Sequence, residues 1–505
     1  MLLWFVIAYW VISVGIGLYA ATRVHNTKDF AIAGRHLPFY MVTATVFATW
    51  FGSETVLGIP ATFLKEGLHG VVADPFGASM CLILVGLFFA APLYRMNLLT
   101  IGDFYKKKFG RSVEVLTTIA IVISYLGWVG AQITALGLVF NVVSQGEISK
   151  LAGMWIGSGT ILIYTFFGGM WAVAITDFLQ MIIIVIGMLF IGHEISGQVG
   201  GVGVVVDHAA QAGKFEFWPA LDLKEVIGFV AAWVTMMLGS IPQQDVFQRV
   251  QSSKTEKIAI WGSVTGGVLY FLFAFVPMFL AYSATMIDPE MVKGLIDEDP
   301  QMILPTLVMN HAPLFAQVMF FGALLSAIKS CASATLLAPS VTFSENILKP
   351  ALGHRISDHK MLHLMRGVTV AFTILVTLYA MNSKSSIFSM VENAYQVTLV
   401  MAFVPLAAGV YWKRSNTQGA LVSIFFGLSV WLGISIFGSD DPFIPAHFAG
   451  MFASLFGMVA GSLLPSVIGK ALPEEPEHAE LHHMAASHTG HVADEPHHHP
   501  AHKQT

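Results

Sequence analysis

Thirteen runs of about 20 apolar residues dominate this sequence and limit what the chain can fold into. They lie at 2–20, 39–62, 72–95, 114–142, 150–168, 171–193, 224–241, 258–285, 314–347, 362–381, 386–411, 418–437 and 446–466. A run of this length crosses the hydrocarbon core of a bilayer as an α-helix, in which every backbone polar group is satisfied. The sequence therefore predicts an all-α membrane protein with about 13 transmembrane helices.

The composition of the chain excludes several other classes of protein. Over 505 residues it is 55% hydrophobic and 11% charged, with a mean hydropathy of +0.70, which a soluble surface does not tolerate. Cys81 and Cys331 both lie in apolar runs, so we expect no disulfide framework. No basic patch indicates a nucleic-acid partner. His193 and Glu194 lack the second histidine of a zinc-protease helix, and no other motif indicates an enzyme.

Basic residues predict the orientation in the membrane. Nineteen of the 26 Lys and Arg residues, among them Lys107 and Arg249, fall on one side of the spans, and Lys329 lies inside a span. The six on the other side are Lys65, Lys150, Lys214, Lys224, Lys293 and Lys384. Because basic residues stay in cytoplasmic loops, we expect a multi-pass protein of the plasma (inner) membrane with its amino terminus outside and its carboxyl terminus in the cytoplasm.

The composition changes near residue 472, which divides a transmembrane domain (1–471) from a tail (472–505) rich in Pro, Glu and His. Such a composition predicts a disordered cytoplasmic segment. Its run of His497, His498 and His499 offers candidate metal ligands, although a solvated low-complexity tail is the interpretation that we favour. We expect no other metal site.

Two spans carry features that a lipid-facing helix would not carry. The second contains Gly52, Gly58 and Pro60 around Glu54, which predicts backbone opened at membrane depth to line a cavity. Packing glycines and a proline kink would give the same pattern without a site. The ninth places Ser326, Lys329, Ser330 and Ser333 on one helical face, and a charge there normally faces a bundle interior and marks a pathway.

Three more ionisable residues lie within predicted spans. Asp177 is well placed to partner either a bound cation or Lys329. Asp74 and Glu392 lie near the ends of their runs, where they would be either site residues or solvated helix ends.

Two motifs resemble the signatures of the sodium:solute symporter family. The first is Tyr164-Thr-Phe-Phe-Gly-Gly-Met-Trp-Ala172 followed by Thr176-Asp-Phe-Leu-Gln180, and the second is Gly409-Val-Tyr-Trp-Lys-Arg-Ser-Asn-Thr-Gln-Gly-Ala420. The resemblance implies a LeuT-like core of 5+5 helices in inverted repeats, whose first helices are broken at the midplane. The repeats would cover about 38–195 and 223–411, with extra helices at 1–20, 418–437 and 446–466.

The resemblance also implies a cation site. Carried over position by position, it assigns backbone carbonyls of Ala48 and Phe51 and the ninth-span positions Ala327, Ser330 and Cys331. Asp177 matches the family's aspartate beside that site, and Ser333 matches a second cation position where one exists. Sodium prefers hard oxygen ligands, which suits Ser330 better than Cys331. Lys329 and Glu54 would modulate the site.

Within the family, three stretches resemble the high-affinity choline transporter branch. They are Ala48-Thr-Trp-Phe-Gly52, Gly239-Ser-Ile-Pro-Gln-Gln-Asp-Val-Phe-Gln-Arg-Val250 and Met302-Ile-Leu-Pro305. The resemblance implies a solute site at Trp50, Gly52, Trp128 and Gln243, since aromatic faces bind quaternary amines. Gln243 and Ala78 stand where that branch has aromatic residues. An amino acid or a carboxylate, its anion facing Lys329 or the opened end of the second span, is therefore at least an equal expectation.

We therefore predict a secondary active transporter that carries a small organic solute (an amino acid, an amine or a carboxylate) into the cell with Na⁺, without other cofactors. In a first alternative Lys329 pairs with neither Asp177 nor Glu54 and replaces the sodium ion, and coupling is to protons or absent. In a second, the protein is a transporter-like sensor that signals through its tail. The expected partners are the solute, a monovalent cation and membrane lipid, and the oligomeric state is not indicated.

Overall fold

The computed structural model describes residues 1–353, 356–439 and 441–465, and in this part of the chain helices follow the apolar runs. The amino-terminal helices are α1 (Leu2–Ala20), α2 (Thr27–Ile32), α3 (Phe39–Trp50), α4 (Ile59–Glu66), α5 (Ala78–Leu84), α6 (Ala90–Arg95), α7 (Ile101–Phe109), α8 (Arg111–Val143), α9 (Lys150–Gln198), α10 (Val202–Gln211) and α11 (Leu223–Gly239).

The remaining helices are α12 (Gln244–Ser252), α13 (Glu256–Ile287), α14 (Pro289–Leu295), α15 (Ile303–His311), α16 (Leu314–Phe343), α17 (Lys349–Ala351), α18 (Asp358–Asn382), α19 (Ile387–Thr398), α20 (Val404–Tyr411), α21 (Thr417–Phe437) and α22 (Ala446–Leu463). Short 3₁₀ turns lie at Ala21–Arg23, Ala33–Arg35, Gly67–Val71 and Pro300–Met302, and π-helical turns at Glu54–Gly58, Val72–Gly77, Val85–Phe89, Ser344–Leu348 and Leu399–Phe403. Extended pairing in the described residues is limited to one parallel bridge between Leu37 and Ser253.

The number of helices that are long and apolar enough to cross a membrane is ten in the described residues, or eleven if the bent pair α11–α12 counts as one span. The predicted number of thirteen is therefore not confirmed. The difference arises in two long stretches that are interrupted only by kinks or short turns. Residues Glu54–Arg95 and Lys150–Gln198 each form one continuous stretch, of 42 and 49 residues, where the sequence predicts two spans or parts of two.

The kink in α9 explains one of these differences. Gly169 has φ 46° and ψ −139° inside the helix, a conformation that glycine adopts without a steric penalty. A Cβ atom built there would lie 2.4 Å from the carbonyl oxygen of Phe30. The kink falls in the gap between the predicted spans 150–168 and 171–193.

Two other spans are interrupted. The chain leaves α3 at Phe51 and resumes helical geometry at Glu54. The second interruption separates α11 from α12, whose axes differ by 45°, at Ser240–Gln243. These two breaks lie close to the starts of the two predicted repeats.

The core that surrounds the breaks is built mainly on α16 and α9. Helix α16 packs against α9, α8, α18, α3, α1 and α12, and α1 packs against α9 and α16. From Ala323 to Thr342 every residue of α16 is buried, because protein surrounds this helix on all sides. The predicted tail at 472–505, with His497, His498 and His499, lies outside the described residues.

Candidate functional site

The break after α3 turns backbone carbonyls away from their helical partners. Gly52 N–H donates to the carbonyl of Trp50 at 3.1 Å, where a regular helix would have it donate to Ala48. Ser53 N–H donates to Oε1 of Gln132 at 2.9 Å, where a regular helix would direct it to Thr49. The carbonyls of Ala48 and Thr49 therefore lose their i+4 donors, which makes them available to another positive partner.

Gly52 allows this break to approach α16 closely. A Cβ atom at this position would lie 2.8 Å from Sγ of Cys331 and 2.7 Å from Oε2 of Glu54. The thiol of Cys331 lies 4.0 Å from Oε1 of Glu54. Two predicted site residues, Gly52 and Cys331, thus meet at the break, with Glu54 beside them.

Asp177 joins three helices next to the break. Its Oδ1 accepts a hydrogen bond from Ser330 on α16 at 2.6 Å, and its Oδ2 accepts one from Thr45 on α3 at 2.5 Å. All three side chains are buried. The structure therefore brings together the predicted pair Asp177 and Ser330, and it adds Thr45, which the sequence analysis does not identify.

The remaining predicted cation ligands lie on the same packed helices. Ala48 and Phe51 are buried at the end of α3, and Ala327 is buried on α16. Ser333 donates to the carbonyl of Ser330 within its own helix at 3.0 Å. The structure thus places the predicted ligands on facing elements but shows a direct contact to the carboxylate of Asp177 only for Ser330.

Arg249 is a buried cation, although its position between the predicted spans 224–241 and 258–285 predicts a cytoplasmic loop. It lies on α12 and is 2% exposed. Its guanidinium donates to the hydroxyl of Thr49 at 2.8 Å and to the carbonyl of Asp245 at 3.1 Å. The polar stretch after the break is therefore not an exposed loop but a buried helix, which forms with α11 either a broken span or a re-entrant loop.

Three aromatic rings form a cluster beside the break. The centroid of Trp50 lies 5.3 Å from that of Trp128 and 6.1 Å from that of Tyr395, and the last two are 5.6 Å apart. Trp50 and Trp128 are predicted solute residues, whereas Tyr395, on α19, is not. We call these three side chains the aromatic wall.

Glu54 contacts the aromatic wall. Its Oε1 accepts from the indole N–H of Trp128 at 3.4 Å, and its Oε2 accepts from the amide of Gln132 at 2.7 Å. Asp74 is buried and accepts a hydrogen bond from the hydroxyl of Tyr270. Of the two expectations for Asp74, a site residue or a solvated helix end, its burial excludes the solvated helix end. Tyr270 also contacts Thr55, one residue after Glu54, at 3.2 Å.

A fourth buried carboxylate belongs to Asp245 on α12. Its Oδ1 accepts from the hydroxyl of Tyr125 at 2.5 Å, and Tyr125 stacks on Trp128 at 6.2 Å. The predicted solute residue Gln243 instead contacts Ser124 at 2.9 Å and Thr398 at 3.3 Å. Gln243 thus lies about one turn from the aromatic wall, because Ser124 precedes Trp128 by four residues.

Lys329 points away from these carboxylates. Its ammonium nitrogen is buried and has no hydrogen-bond partner in the described residues. It lies 4.6 Å from the ring centroid of Trp10, 5.5 Å from that of Tyr9 and 5.6 Å from that of Tyr164. In the structure Lys329 pairs with neither Asp177 nor Glu54. We call the three rings the lysine cage.

A cavity of about 560 Å³ is lined by residues that follow the broken helix in the chain. Its lining includes Gly58 on the turn that follows Glu54, and Glu392, three residues before Tyr395. Glu392 is half-buried there, so it is part of a cavity wall and not a fully solvated helix end. Glu66 and Glu225 also line the cavity, as do Lys65 and Lys224.

Among the described residues, no three or more His, Cys, Asp or Glu side chains are grouped so that they could hold a metal ion. His497, His498 and His499 lie outside those residues. The donors at the site are hydroxyls, carboxylates and carbonyls, which are ligands for hard cations such as Na⁺.

Residues 30–427 match the model of the sodium:solute symporter family. The high affinity choline transporter 1 of Homo sapiens is 26% identical over 447 residues, which cover 84% of this chain and 75% of that transporter. The high-affinity proline transporter PutP of Bacillus subtilis (strain 168) is 25% identical over 487 residues, which cover 91% of this chain and 97% of PutP. A solved Na⁺-coupled sialic acid symporter, in a substrate-bound outward-open state, superposes with a TM-score of 0.76 at 20% identity, covering 92% of this chain and 97% of that one.

Proposed function

This multi-pass membrane protein belongs to the sodium:solute symporter family, and from that premise we propose that it couples Na⁺ entry to the uptake of a small organic solute with a positively charged nitrogen. The observation that carries the proposal is the junction at Asp177. There a carboxylate shared by hydroxyls of α3 and α16 lies beside carbonyls that have lost their helical donors.

The cation would bind where the broken helix meets α16. Asp177, Ser330 and the carbonyls of Ala48 and Phe51 would supply hard oxygen ligands, with Ala327 contributing its carbonyl. Ser333 would belong to a second position, and Cys331 would line the site without ligating. Because the Lys329 ammonium lies in the lysine cage, it does not occupy this position, which favours sodium coupling over the alternative in which the lysine replaces the ion.

The solute would meet the aromatic wall and Glu54. Aromatic faces and carboxylates both attract a positively charged nitrogen. Arg249, the other buried cation of the core, donates hydrogen bonds to the hydroxyl of Thr49 and the carbonyl of Asp245. Two relatives are a choline transporter and a proline transporter, and both choline and proline carry such a nitrogen. The carboxylate solutes expected from Lys329 lose their support, because the lysine faces the other way.

Transport would follow from the two broken helices. We propose that residues 38–195 and 223–411 are the 5+5 inverted repeats, each beginning with a broken helix, and that the chain crosses the membrane thirteen times with its amino terminus outside. The cavity of about 560 Å³ would then open to the exterior. Rocking of the broken helices against the bundle of α8, α9 and α16 would close this cavity and expose the site to the cytoplasm.

Uptake into proteoliposomes tests this function. The full chain is reconstituted and given radiolabelled quaternary amines, amino acids and monocarboxylates, under an inward Na⁺ gradient and separately under an inward H⁺ gradient. We expect accumulation of an amine or amino acid only under the Na⁺ gradient. In Asp177→Asn the half-saturating Na⁺ concentration should rise about tenfold or more, since a hydrogen-bonded charge contributes roughly 1.5–3 kcal/mol.

Ser158→Ala is a matched control on the same helix, because that buried hydroxyl bonds only to carbonyls of its own helix. Its Na⁺ dependence should equal that of the wild type. Accumulation driven by protons alone, or an unchanged Na⁺ dependence in folded Asp177→Asn, would contradict the proposed coupling.

A further inference from the structure

One turn of α16 carries two of the proposed sodium ligands, the carbonyl of Ala327 and the hydroxyl of Ser330. Every residue of this turn, which begins at Ser326 and ends at Ser330, is buried. Two phenols from other helices bind the turn, and the proposed transport cycle gives neither of them a role. They belong to Tyr9 on α1 and Tyr164 on α9.

Tyr9 binds the beginning of the turn. Its hydroxyl lies 2.5 Å from Oγ of Ser326. The hydroxyl of Ser326 itself donates to the carbonyl of Gly322 at 2.8 Å, so the phenol of Tyr9 is the donor to Ser326. Because residues four apart lie on the same helical face, Ser326 and Ser330 are neighbours on α16. Helix α1 is therefore attached one turn before the ligand Ser330.

Tyr164 binds the end of the turn. Its buried hydroxyl donates to the carbonyl of Lys329 at 3.2 Å. Tyr164 precedes the kink of α9 at Gly169. Asp177 follows that kink and accepts a hydrogen bond from Ser330 at 2.6 Å. Helix α9 therefore contacts the end of the turn from both of its segments.

We propose that Tyr9 and Tyr164 are positioning residues of the cation site, which hold this turn so that the oxygens of Ala327 and Ser330 face the ion. The inference rests on the proposed function, because it takes those two oxygens as sodium ligands. A turn that is already held loses little freedom when the ion binds, and such preorganisation raises affinity. Helix α1 lies outside the two proposed repeats, so the sodium affinity depends on a helix that is not part of the repeated core.

Equilibrium binding of ²²Na⁺ to the purified full-length chain tests this role. Tyr9→Phe and Tyr164→Phe keep each ring and remove only the hydroxyl. A neutral hydrogen bond changes an equilibrium constant by a factor of about two to ten, so each variant should raise the dissociation constant for Na⁺ by about that factor. An unchanged dissociation constant in both folded variants would overturn the proposal.

Tyr105→Phe is the matched control. It also removes a buried phenol that donates to a backbone carbonyl, that of Ala402 at 2.8 Å. Tyr105 lies on α7, which packs against α8, α20 and α21. The dissociation constant for Na⁺ should therefore stay at the wild-type value in Tyr105→Phe. A rise equal to that in Tyr9→Phe and Tyr164→Phe would overturn the proposal, because it would reflect a general loss of stability.

Ser326→Ala removes the partner of Tyr9 and remains informative if the tyrosine variants do not fold. It should raise the dissociation constant for Na⁺ as much as Tyr9→Phe does. In the double variant the two effects should not add, because both substitutions remove the same hydrogen bond. Full additivity, or an unchanged dissociation constant in folded Ser326→Ala, would overturn the role of Tyr9.

The two hypotheses fail in different ways. Absence of ²²Na⁺ binding by folded wild type would contradict the sodium-coupled function and this inference with it. Binding by wild type that is unchanged in Tyr9→Phe, Tyr164→Phe and Ser326→Ala would leave the proposed function standing and remove the role of the two phenols.

Discussion

Glu54 is a buried carboxylate at the helix break, and its hydrogen bonds must serve two requirements of the proposed site. It must be held without water at membrane depth, and it must remain accessible to a solute. The indole of Trp128 and the amide of Gln132 supply donors to its two oxygens, while the same Gln132 accepts from the Ser53 amide that the helix break has freed. The side chain of Gln132 therefore stabilises both the helix break and the carboxylate of Glu54. The conformation of the break and the charge of Glu54 depend on the same residue.

Replacing Glu54 by Gln should weaken solute binding and spare sodium binding. The substitution keeps the size of the side chain but removes the negative charge beside the aromatic wall. We expect the KM for the solute to rise between tenfold and a hundredfold, because hydrogen bonds and contacts to a charge are worth about 1.5–3 kcal/mol. The half-saturating Na⁺ concentration should change less than about twofold.

Glu147→Gln is a suitable control, since this exposed carboxylate lies in the turn between α8 and α9. Its KM should equal that of the wild type. If Glu54→Gln altered sodium dependence as strongly as solute dependence, Glu54 would belong to the cation site and the solute site would have to lie elsewhere.

The sequence predicts part of this site and misses part of it, for physical reasons. The resemblance to the family implies the nearness of Asp177 and Ser330, and it also implies that of Trp50 and Trp128. Arg249 is missed because basic residues in a polar stretch normally indicate a loop. The direction of Lys329 depends on rings of α1 and α9 that are more than 160 residues away along the chain, and no local pattern reports such packing.

Helix breaks decide how the elements of this protein meet. Helix α9 contains a glycine that its backbone conformation requires, Gly169, and a glycine that another residue could replace, Gly159. Gly169 has a positive φ and lies against the backbone of Phe30. Gly159, ten residues earlier, has no heavy atom within 4 Å of the position that a Cβ atom would take.

Gly169→Ala should therefore destabilise the protein, whereas Gly159→Ala should not. The first forces a strained φ, at a cost of roughly 1–3 kcal/mol, and also pushes a methyl group into a carbonyl oxygen. The second adds a better helix former to a helix and should be neutral or slightly stabilising. Thermal melting of the purified proteins in detergent should show a fall of several degrees for Gly169→Ala only.

Equal melting temperatures for the two variants would mean that the kink at Gly169 is not a fixed feature of α9. The same kink shows why spans are harder to count than apolar runs. Composition predicts a gap between 168 and 171, and Gly169 does leave helical geometry inside that gap, although helix flanks it on both sides. Apolar periodicity contains no information on whether two spans are joined by a loop or by a bend.

For the whole molecule, the distribution of basic residues predicts which face is cytoplasmic. The two native cysteines are buried, so a single introduced cysteine can be labelled without a change of background. Asp207→Cys on α10 and Lys107→Cys on α7 replace exposed residues on the two predicted faces. A membrane-impermeant maleimide should label Asp207→Cys in intact cells and Lys107→Cys only after permeabilisation. The reverse pattern would contradict the orientation with the amino terminus outside.

The last prediction distinguishes a carrier from a sensor. Every residue of the candidate site lies between Tyr9 and Thr398, and the last described contacts join Gln418 to Gly461 and Pro465, and Asn416 to Ser462. A chain that ends at residue 471 keeps all of these contacts. We therefore expect deletion of residues 472–505 to leave the KM and the maximal rate of sodium-driven uptake within about twofold of the wild type, because the deleted segment has the composition of a chain without a packed core.

The measurement is uptake into proteoliposomes that contain equal amounts of folded full-length and shortened protein, as judged by size-exclusion chromatography. Adding and chelating Zn²⁺ provides a second comparison, since His497, His498 and His499 are the predicted metal ligands and are absent from the shortened chain. If uptake disappears while the shortened protein remains folded and still binds ²²Na⁺, the tail takes part in the transport cycle. In that case solute occupancy and the tail are coupled, as the sensor hypothesis requires, and the protein is more than a carrier.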